Sequence, residues 1–307
     1  MRKVWDKLGQ IYCPPDVPKN EKLLSHAANP LAIHLKDDVY RIYYSGRDEV
    51  NRSSVGAVDV DIVRRCLVAT YDDPFFLHGP PSSFYADGVS IGSCYSVDGQ
   101  LYMLFMGWQS PVGGHWRGDI GRLKVAQDGC LELDCAEPFI ASNPADPISL
   151  SYPWVEGDRS QGYQMWYGST LSWDAGNGEM LHVIQHAKSS DGHHWERLGL
   201  AVPFELGRVQ AFSRPTVLKS HDGQYEMWFS YRGALGKSYR IGYATSLDGI
   251  AWRLDLDNAG IDVSAEGWDS MMVEYPFVFV HKGEQYMLYN GNGHGKTGFG
   301  LAVRRCE

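Results

Sequence analysis

Short apolar runs broken by Gly and Asp turns recur along the whole chain, and long stripes at helical spacing are absent. The stretch Ser213 to Trp252 shows the pattern. Pro215 to Lys219 reads as a strand, and His221-Asp222-Gly223 as a tight hairpin turn. Tyr225 to Tyr231 reads as a second strand, Arg240 to Thr245 as a third, and Trp252 opens a fourth after a Leu247-Asp248-Gly249 turn. Four such strands make one small antiparallel sheet, too small to be stable without neighbours.

The same unit repeats. Tyr40, Tyr102, Tyr163, Tyr225 and Tyr286 stand 62, 61, 62 and 61 residues apart. Two residues beyond each comes Ile42, Leu104, Met165, Met227 or Leu288, followed by an aromatic residue: Tyr43, Phe105, Trp166, Trp228 or Tyr289. Ten residues before each tyrosine stands Pro30, Gly92, Pro153, Pro215 or Pro276, so each first strand is expected to begin after a ring-constrained bend, with Gly92 the exception. Radial repetition of small sheets accounts for equal periods. The expected fold is therefore all-β, a five-bladed β-propeller of four-stranded antiparallel blades, forming a single domain over residues 1–307. The last unit lacks an outer strand, and Trp5-Asp6-Lys7-Leu8-Gly9 resembles Trp195-Glu196-Arg197-Leu198-Gly199, so residues 3–12 are expected to complete the fifth blade.

Composition narrows the function classes. A net charge of -9 with no basic run argues against nucleic acid as a partner. No stretch reaches the length of a spanning helix and no leader is evident, which points to a soluble, cytoplasmic chain without a membrane partner. Six cysteines without a Cys-x-x-Cys pair read as reduced structural thiols, with no metal and no cofactor implied.

Strand parity locates a functional face. The starts of the first strands and the loops between second and third strands share one end of the sheets, and the Ser-x-Asp-Gly-x-x-Trp turns at Ser189 to Trp195 and Ser246 to Trp252 sit at the other. Those turns read as structural, with Asp191 and Asp248 accepting backbone N–H bonds. On the functional face, the residues preceding the proline column are Asn29, Ile91, Tyr152, Arg214 and Tyr275, and those one further back are Ala28, Ser90, Ser151, Ser213 and Glu274. A single carboxylate in a ring of small residues is placed to have a raised pKa and to act as a general acid, with Arg214 either pairing with it or binding an anion. Asp87 and Asp269, on segments entering first strands, are candidates to hold a water opposite Glu274. Arg47, Asp48, Arg117, Arg232, Lys237, His294 and Lys296 lie on the same-face loops, with Trp108, Trp116 and Trp173 as sugar-stacking platforms. A carbohydrate or sugar-phosphate ligand suits this set.

Val273-Glu274-Tyr275-Pro276-Phe277-Val278-Phe279, followed by a Gly turn and Tyr286-Met287-Leu288-Tyr289, resembles the Glu-Gly-Pro general-acid motif of the five-bladed glycosidases of families 43, 32, 62 and 68. Asn29-Pro30-Leu31-Ala32-Ile33 leading to Tyr40-Arg41-Ile42-Tyr43-Tyr44 is similar to the opening blade of the family 130 mannoside phosphorylases. The resemblance implies hydrolysis or phosphorolysis of glycosidic bonds, with Glu274 as the acid. Asn29, Ser90 and Ile91 stand where it would place further carboxylates, and that substitution supports the alternative of a carbohydrate-binding propeller without catalysis.

Overall fold

The computed structural model describes residues 4–220, 223–234 and 236–304. It is all-β, with one short 3-10 turn at Leu256–Asn258 among the described residues. After β1 (Asp6–Tyr12) the strands follow as antiparallel meanders. The first is β2 (Ser25–Lys36), β3 (Val39–Arg47), β4 (Ser53–Asp61) and β5 (Cys66–Thr70). Next come β6 (Gly88–Val97), β7 (Gln100–Gln109), β8 (Arg117–Val125) and β9 (Leu131–Leu133). Then follow β10 (Ser149–Asp158), β11 (Gly162–Ser172), β12 (Leu181–Ser189) and β13 (Glu196–Leu200). β14 (Ala211–Lys219), β15 (Tyr225–Arg232), β16 (Arg240–Ser246) and β17 (Trp252–Leu254) form another meander. The last sheet has the order β18 (Glu274–His281), β19 (Glu284–Asn290), β20 (Phe299–Arg304), with β1 outermost. Single parallel bridges, Ser53 to Gly88 and His182 to Ala211, join meanders into two eight-stranded sheets.

The repeated columns are the core. Ile42, Leu104, Met165, Met227 and Leu288, and the aromatic residue after each, are at most 1% exposed. Adjacent residues of a strand point to opposite faces, so burial of both means that every sheet is covered on both sides by its neighbours. The innermost strands β2, β6, β10, β14 and β18 each contact the next, and β18 returns to β2. The N-terminal strand pairs with β20 from Asp6 to Tyr12, as its likeness to the 195–199 segment indicated. Its Trp5 packs edge-on against Trp228 at 5.6 Å, with the Arg304 guanidinium over both rings. Turn chemistry also follows the sequence. Asp98 and Gly99, and Lys282 and Gly283, have positive φ at both central positions, as a hairpin turn matching the strand twist requires. The His221-Asp222 turn lies outside the described residues, as does Lys3 of the expected N-terminal strand.

The proline column differs from expectation. The first strands begin before it, at Ser25, Gly88, Ser149, Ala211 and Glu274. The prolines sit inside the strands, at a register break common to all five: Ala28/Leu31, Ile91/Cys94, Ser151/Trp154, Ser213/Thr216 and Glu274/Phe277. A bulge has no ladder bond for the missing proline N–H to make, so the ring is tolerated there. In the four proline-bearing strands the preceding residue is left-handed: Asn29 at φ 55, Tyr152 at 38, Arg214 at 47 and Tyr275 at 53. Each costs about 1–2 kcal/mol for a residue with a Cβ. All four bulges stand at the end of the inner strands where parity places the functional face.

Candidate functional site

Two of the left-handed bulge residues, Tyr152 and Tyr275, line a cavity of about 350 Å³. Tyr152 and Tyr275 meet across it with ring centroids 5.5 Å apart, and Trp154 and Phe277 meet at 5.4 Å. Arg214, 1% exposed, donates to the carbonyl oxygens of Tyr275 (2.8 Å), Pro30 (2.7 Å) and Asn29 (3.2 Å). The salt bridge to Glu274 left open by the sequence does not form, because this guanidinium is taken up by carbonyls of the neighbouring bulges. Burial pulls its pKa down to about 9, so it remains a cation at neutral pH.

Glu274 is 0% exposed, directly behind the cavity wall. Its partner is His294, whose Nδ1 lies 3.0 Å from Oε1 and 3.2 Å from Oε2. His294 itself lines the cavity and its side chain is 46% exposed. The loop carrying it is held against the first meander: Gly295 O accepts from Ala27 N at 2.9 Å, and a Cβ on Gly295 would fall 2.8 Å from Ala28 Cα. Burial raises the Glu274 pKa, opposed by His294, Arg232 and Arg47. The carboxylate in turn raises the His294 pKa.

Arg232 also lines the cavity and forms a two-point contact with Glu179, Nε to Oε2 at 2.9 Å and Nη2 to Oε1 at 3.0 Å. Glu179 is 3% exposed, and the Arg232 guanidinium lies over the Tyr239 ring at 5.0 Å. Arg47 lines the cavity with no carboxylate partner among the described residues. The positive field reaches His26, whose pKa is lowered to about 4 by burial and then by Arg47, His294 and Lys296. On another wall His182 is 2% exposed, its Nε2 2.7 Å from Ser151 Oγ and its Nδ1 2.7 Å from Thr170 Oγ1. Burial lowers its pKa to about 4, so it is neutral at physiological pH.

Of the residues read from sequence, the cavity brings together Arg47, Trp108, Trp116, Tyr152, Arg232, Tyr275 and His294. Asn29 is buried at the axis, its N–H on Asn290 Oδ1 and its carbonyl on Arg214. Trp173 stands one layer out, edge-on to Trp116 at 4.9 Å and stacked on His115 at 4.5 Å. Asp48 organises its own loop, accepting from Val50 and Arg52. Lys296 and Lys237 are exposed on their loops, and Arg117 pairs with Asp119 at 3.5 Å. Neither aspartate offered as a water holder lines the cavity. Asp87 caps a loop by accepting from Ser110 N at 2.6 Å. Asp269 is held by Lys7 at 2.7 Å and Tyr289 at 3.1 Å, which ties the N-terminal strand to the last sheet. Glu179, His182 and Tyr239 were missed, although the parity argument covers them. Glu179 is on the loop between second and third strands, Tyr239 ends the next such loop, and His182 begins a third strand.

Among the described residues no three His, Cys, Asp or Glu side chains group as metal ligands, and no helix is long and apolar enough to cross a membrane. No family model matches the chain. Its fold is similar to that of a glycosyl hydrolase from Bacteroides ovatus, with a TM-score of 0.74 at 12% identity over 99% of this chain and 94% of that one. A structure of the GH130 family of mannoside phosphorylases, described as containing hydrolases of β-1,2 mannosidic linkages in Candida mannan, gives 0.73 at 12% identity over 99% and 94%. A thermostable family-43 glycoside hydrolase gives 0.65 at 16% over 95% and 91%. These likenesses establish a shared fold. In sequence, the chain is 42% identical over 302 residues to the Mycobacterium tuberculosis proteins Rv1502 (strain H37Rv) and MT1551 (strain CDC 1551), both carrying the description uncharacterized protein, over 97% of this chain and 98% of each. With that identity along almost their entire length, the chain belongs to the family of these two mycobacterial proteins, and its fold is that of the three structures just named.

Proposed function

We propose that this chain is a glycoside-processing enzyme, a single-domain five-bladed β-propeller over residues 1–307, acting on a small anionic glycan or sugar phosphate. The observation that carries the reading is the Glu274 to His294 pair, a fully buried carboxylate held by an imidazole that faces the cavity. His294 is the proton donor in this scheme, and Glu274 is the buried carboxylate that positions and charges it. The carboxylate fixes the ring by Nδ1 and raises its pKa, which leaves Nε2 to present a proton to a glycosidic oxygen. Trp108 and Trp116 offer faces for a sugar ring. Arg47, without a carboxylate partner among the described residues, and Arg232 favour a phosphate or carboxylate group on the substrate.

No Asp or Glu is among the described residues lining the cavity. A two-carboxylate hydrolysis needs a second carboxyl facing the scissile bond, so the lining favours phosphorolysis, in which the co-substrate anion is the nucleophile. The same observation supports the second reading, a carbohydrate-binding propeller without catalysis. The test is turnover of a panel of aryl glycosides and glycosyl phosphates, with and without inorganic phosphate, by the wild type and by Glu274→Gln. Wild-type turnover that Glu274→Gln reduces by about 100-fold or more fits general acid catalysis. Equal turnover by both removes Glu274 from the mechanism, and saturable sugar binding without any turnover establishes the second reading.

A further inference from the structure

Trp116 lines the cavity and Trp173 stands behind it, on the loops between second and third strands of neighbouring meanders. Trp116 immediately precedes β8, with the His182 ring 6.1 Å away, and Trp173 immediately follows β11, edge-on to Trp116 at 4.9 Å. The aromatic surface that begins in the cavity therefore continues outward to Trp173. There His115 lies flat against the indole, with ring centroids 4.5 Å apart and the planes 17° from parallel. A pyranose lays its apolar face on an indole in the same way, so the imidazole occupies the place of a sugar ring.

The two sides of this stack are held unequally. Trp173 is partly exposed and begins a braced loop, in which Asp174 Oδ1 accepts from Gly176 N at 2.8 Å and Gly178 N at 2.9 Å, and Glu179 O accepts from Ala175 N at 2.9 Å. His115 ends a run, Ser110 to His115, in which every residue is exposed. The backbone bond within that run is Gly114 N to Pro111 O at 3.1 Å, and Ser110 N is tied to Asp87 at its base. Gly113 has φ 74 and open space where a Cβ would stand. Few buried contacts and an exposed backbone put such a segment at the low-stability end of a fold. The ring pair itself is worth about twofold to tenfold in an equilibrium constant, so a competing ring of similar contact area displaces the imidazole rather than the indole.

We propose that Trp173 is the platform of an outer saccharide subsite, that it takes the second ring of a di- or oligosaccharide whose first ring lies in the cavity, and that His115 covers it until that ring arrives. This deepens the glycoside reading of the cavity and rests on it. A monosaccharide reaches Trp108 and Trp116 and leaves the imidazole in place. A longer glycan lays its next ring on Trp173, and the loop turns at Gly113 and Gly114 to carry His115 into solvent.

The test is the indole N–H spectrum of the full-length 15N-tryptophan protein in the presence of inorganic phosphate. It is titrated with methyl β-mannoside against mannobiose, methyl β-glucoside against cellobiose, and methyl β-glucuronide against cellobiouronic acid. In at least one pair both sugars are expected to shift Trp108 and Trp116, and the disaccharide alone to shift Trp173 and to bind more tightly. Trp173→Ala, read at Trp116, abolishes the advantage of the disaccharide over its methyl glycoside. His115→Ala removes the competing ring and tightens the disaccharide about twofold to tenfold, a gain that a merely structural histidine would not give. Where Trp173→Ala does not fold, His115→Ala, at an exposed position, decides. Cavity indoles that respond to both sugars of a pair while Trp173 stays unmoved, or a disaccharide not tightened by His115→Ala, would overturn the subsite and leave the glycoside reading standing. Trp108 and Trp116 unmoved by every sugar would overturn both.

Discussion

His182 makes stability depend on pH in a way that a single substitution isolates. The ring is 2% exposed and flanked by two hydroxyls that satisfy both nitrogens while it is neutral. Burial lowers its pKa from 6.5 to about 4. The folded value is below the unfolded one, so protons favour the unfolded chain. The contribution of neutral His182 is complete above the unfolded value and is lost as pH falls from about 6.5 toward 4. The full gap of about 2.5 pH units corresponds to about 3.4 kcal/mol, of which about 2 kcal/mol is gone at about pH 5. His182→Gln spans a similar distance without titrating. Urea unfolding followed by tryptophan fluorescence, at about pH 7.5 and about pH 5, measures the difference. The wild type is expected to lose about 2 kcal/mol more than the variant between the two conditions. His186, also lowered to about 4, is present in both proteins and cancels. Equal losses would show that His182 does not titrate with folding, and the reasoning from burial would fail.

Other perturbations test the remaining parts of the site. Glu274→Gln removes the charge that raises the His294 pKa, so the loss of protonated imidazole, and with it the alkaline limb of any activity, moves to lower pH. Titration of the His294 ring by NMR checks this without a substrate. Arg232→Met strands Glu179, which is 3% exposed, and is expected to cost about 3 kcal/mol in chemical unfolding, less than a fully buried pair because Arg232 is 28% exposed. Arg214→Met leaves the buried Tyr275 and Pro30 carbonyls without this donor and is expected to cost about 2–4 kcal/mol, with faster unfolding that added anion does not reverse.

The repeat was legible because its tyrosine and aromatic columns are buried on both faces of each sheet, where no polar residue can replace them. The hairpin turns were legible because their conformation demands residues such as Asp98-Gly99 that tolerate positive φ. The bulges were not. A residue before proline usually stays extended, and only the assembled inner strands, whose carbonyls converge on Arg214, hold Asn29 and Tyr275 in the left-handed region. Parity placed Glu274 and His294 on one face, and their contact depends on the seating of Gly295 on Ala28, which no spacing reveals. Arg214 showed the limit of pairing charges from sequence: carbonyl oxygens compete with carboxylates for a guanidinium, and here they are nearer.

The pairing of β1 with β20 has a consequence for biogenesis. Asp6 lies opposite Val303, so β1 is synthesised about 290 residues before the strand it pairs with. At about 5–20 residues per second that wait is about 15 to 60 seconds. For that time β1 is a lone strand with open hydrogen-bonding edges, the condition in which nascent chains join the wrong partner. Asp6, Lys7 and Gly9, with register breaks on both sides of Gly9 and Gln10, make β1 a poor match for a foreign edge and leave it available for its own.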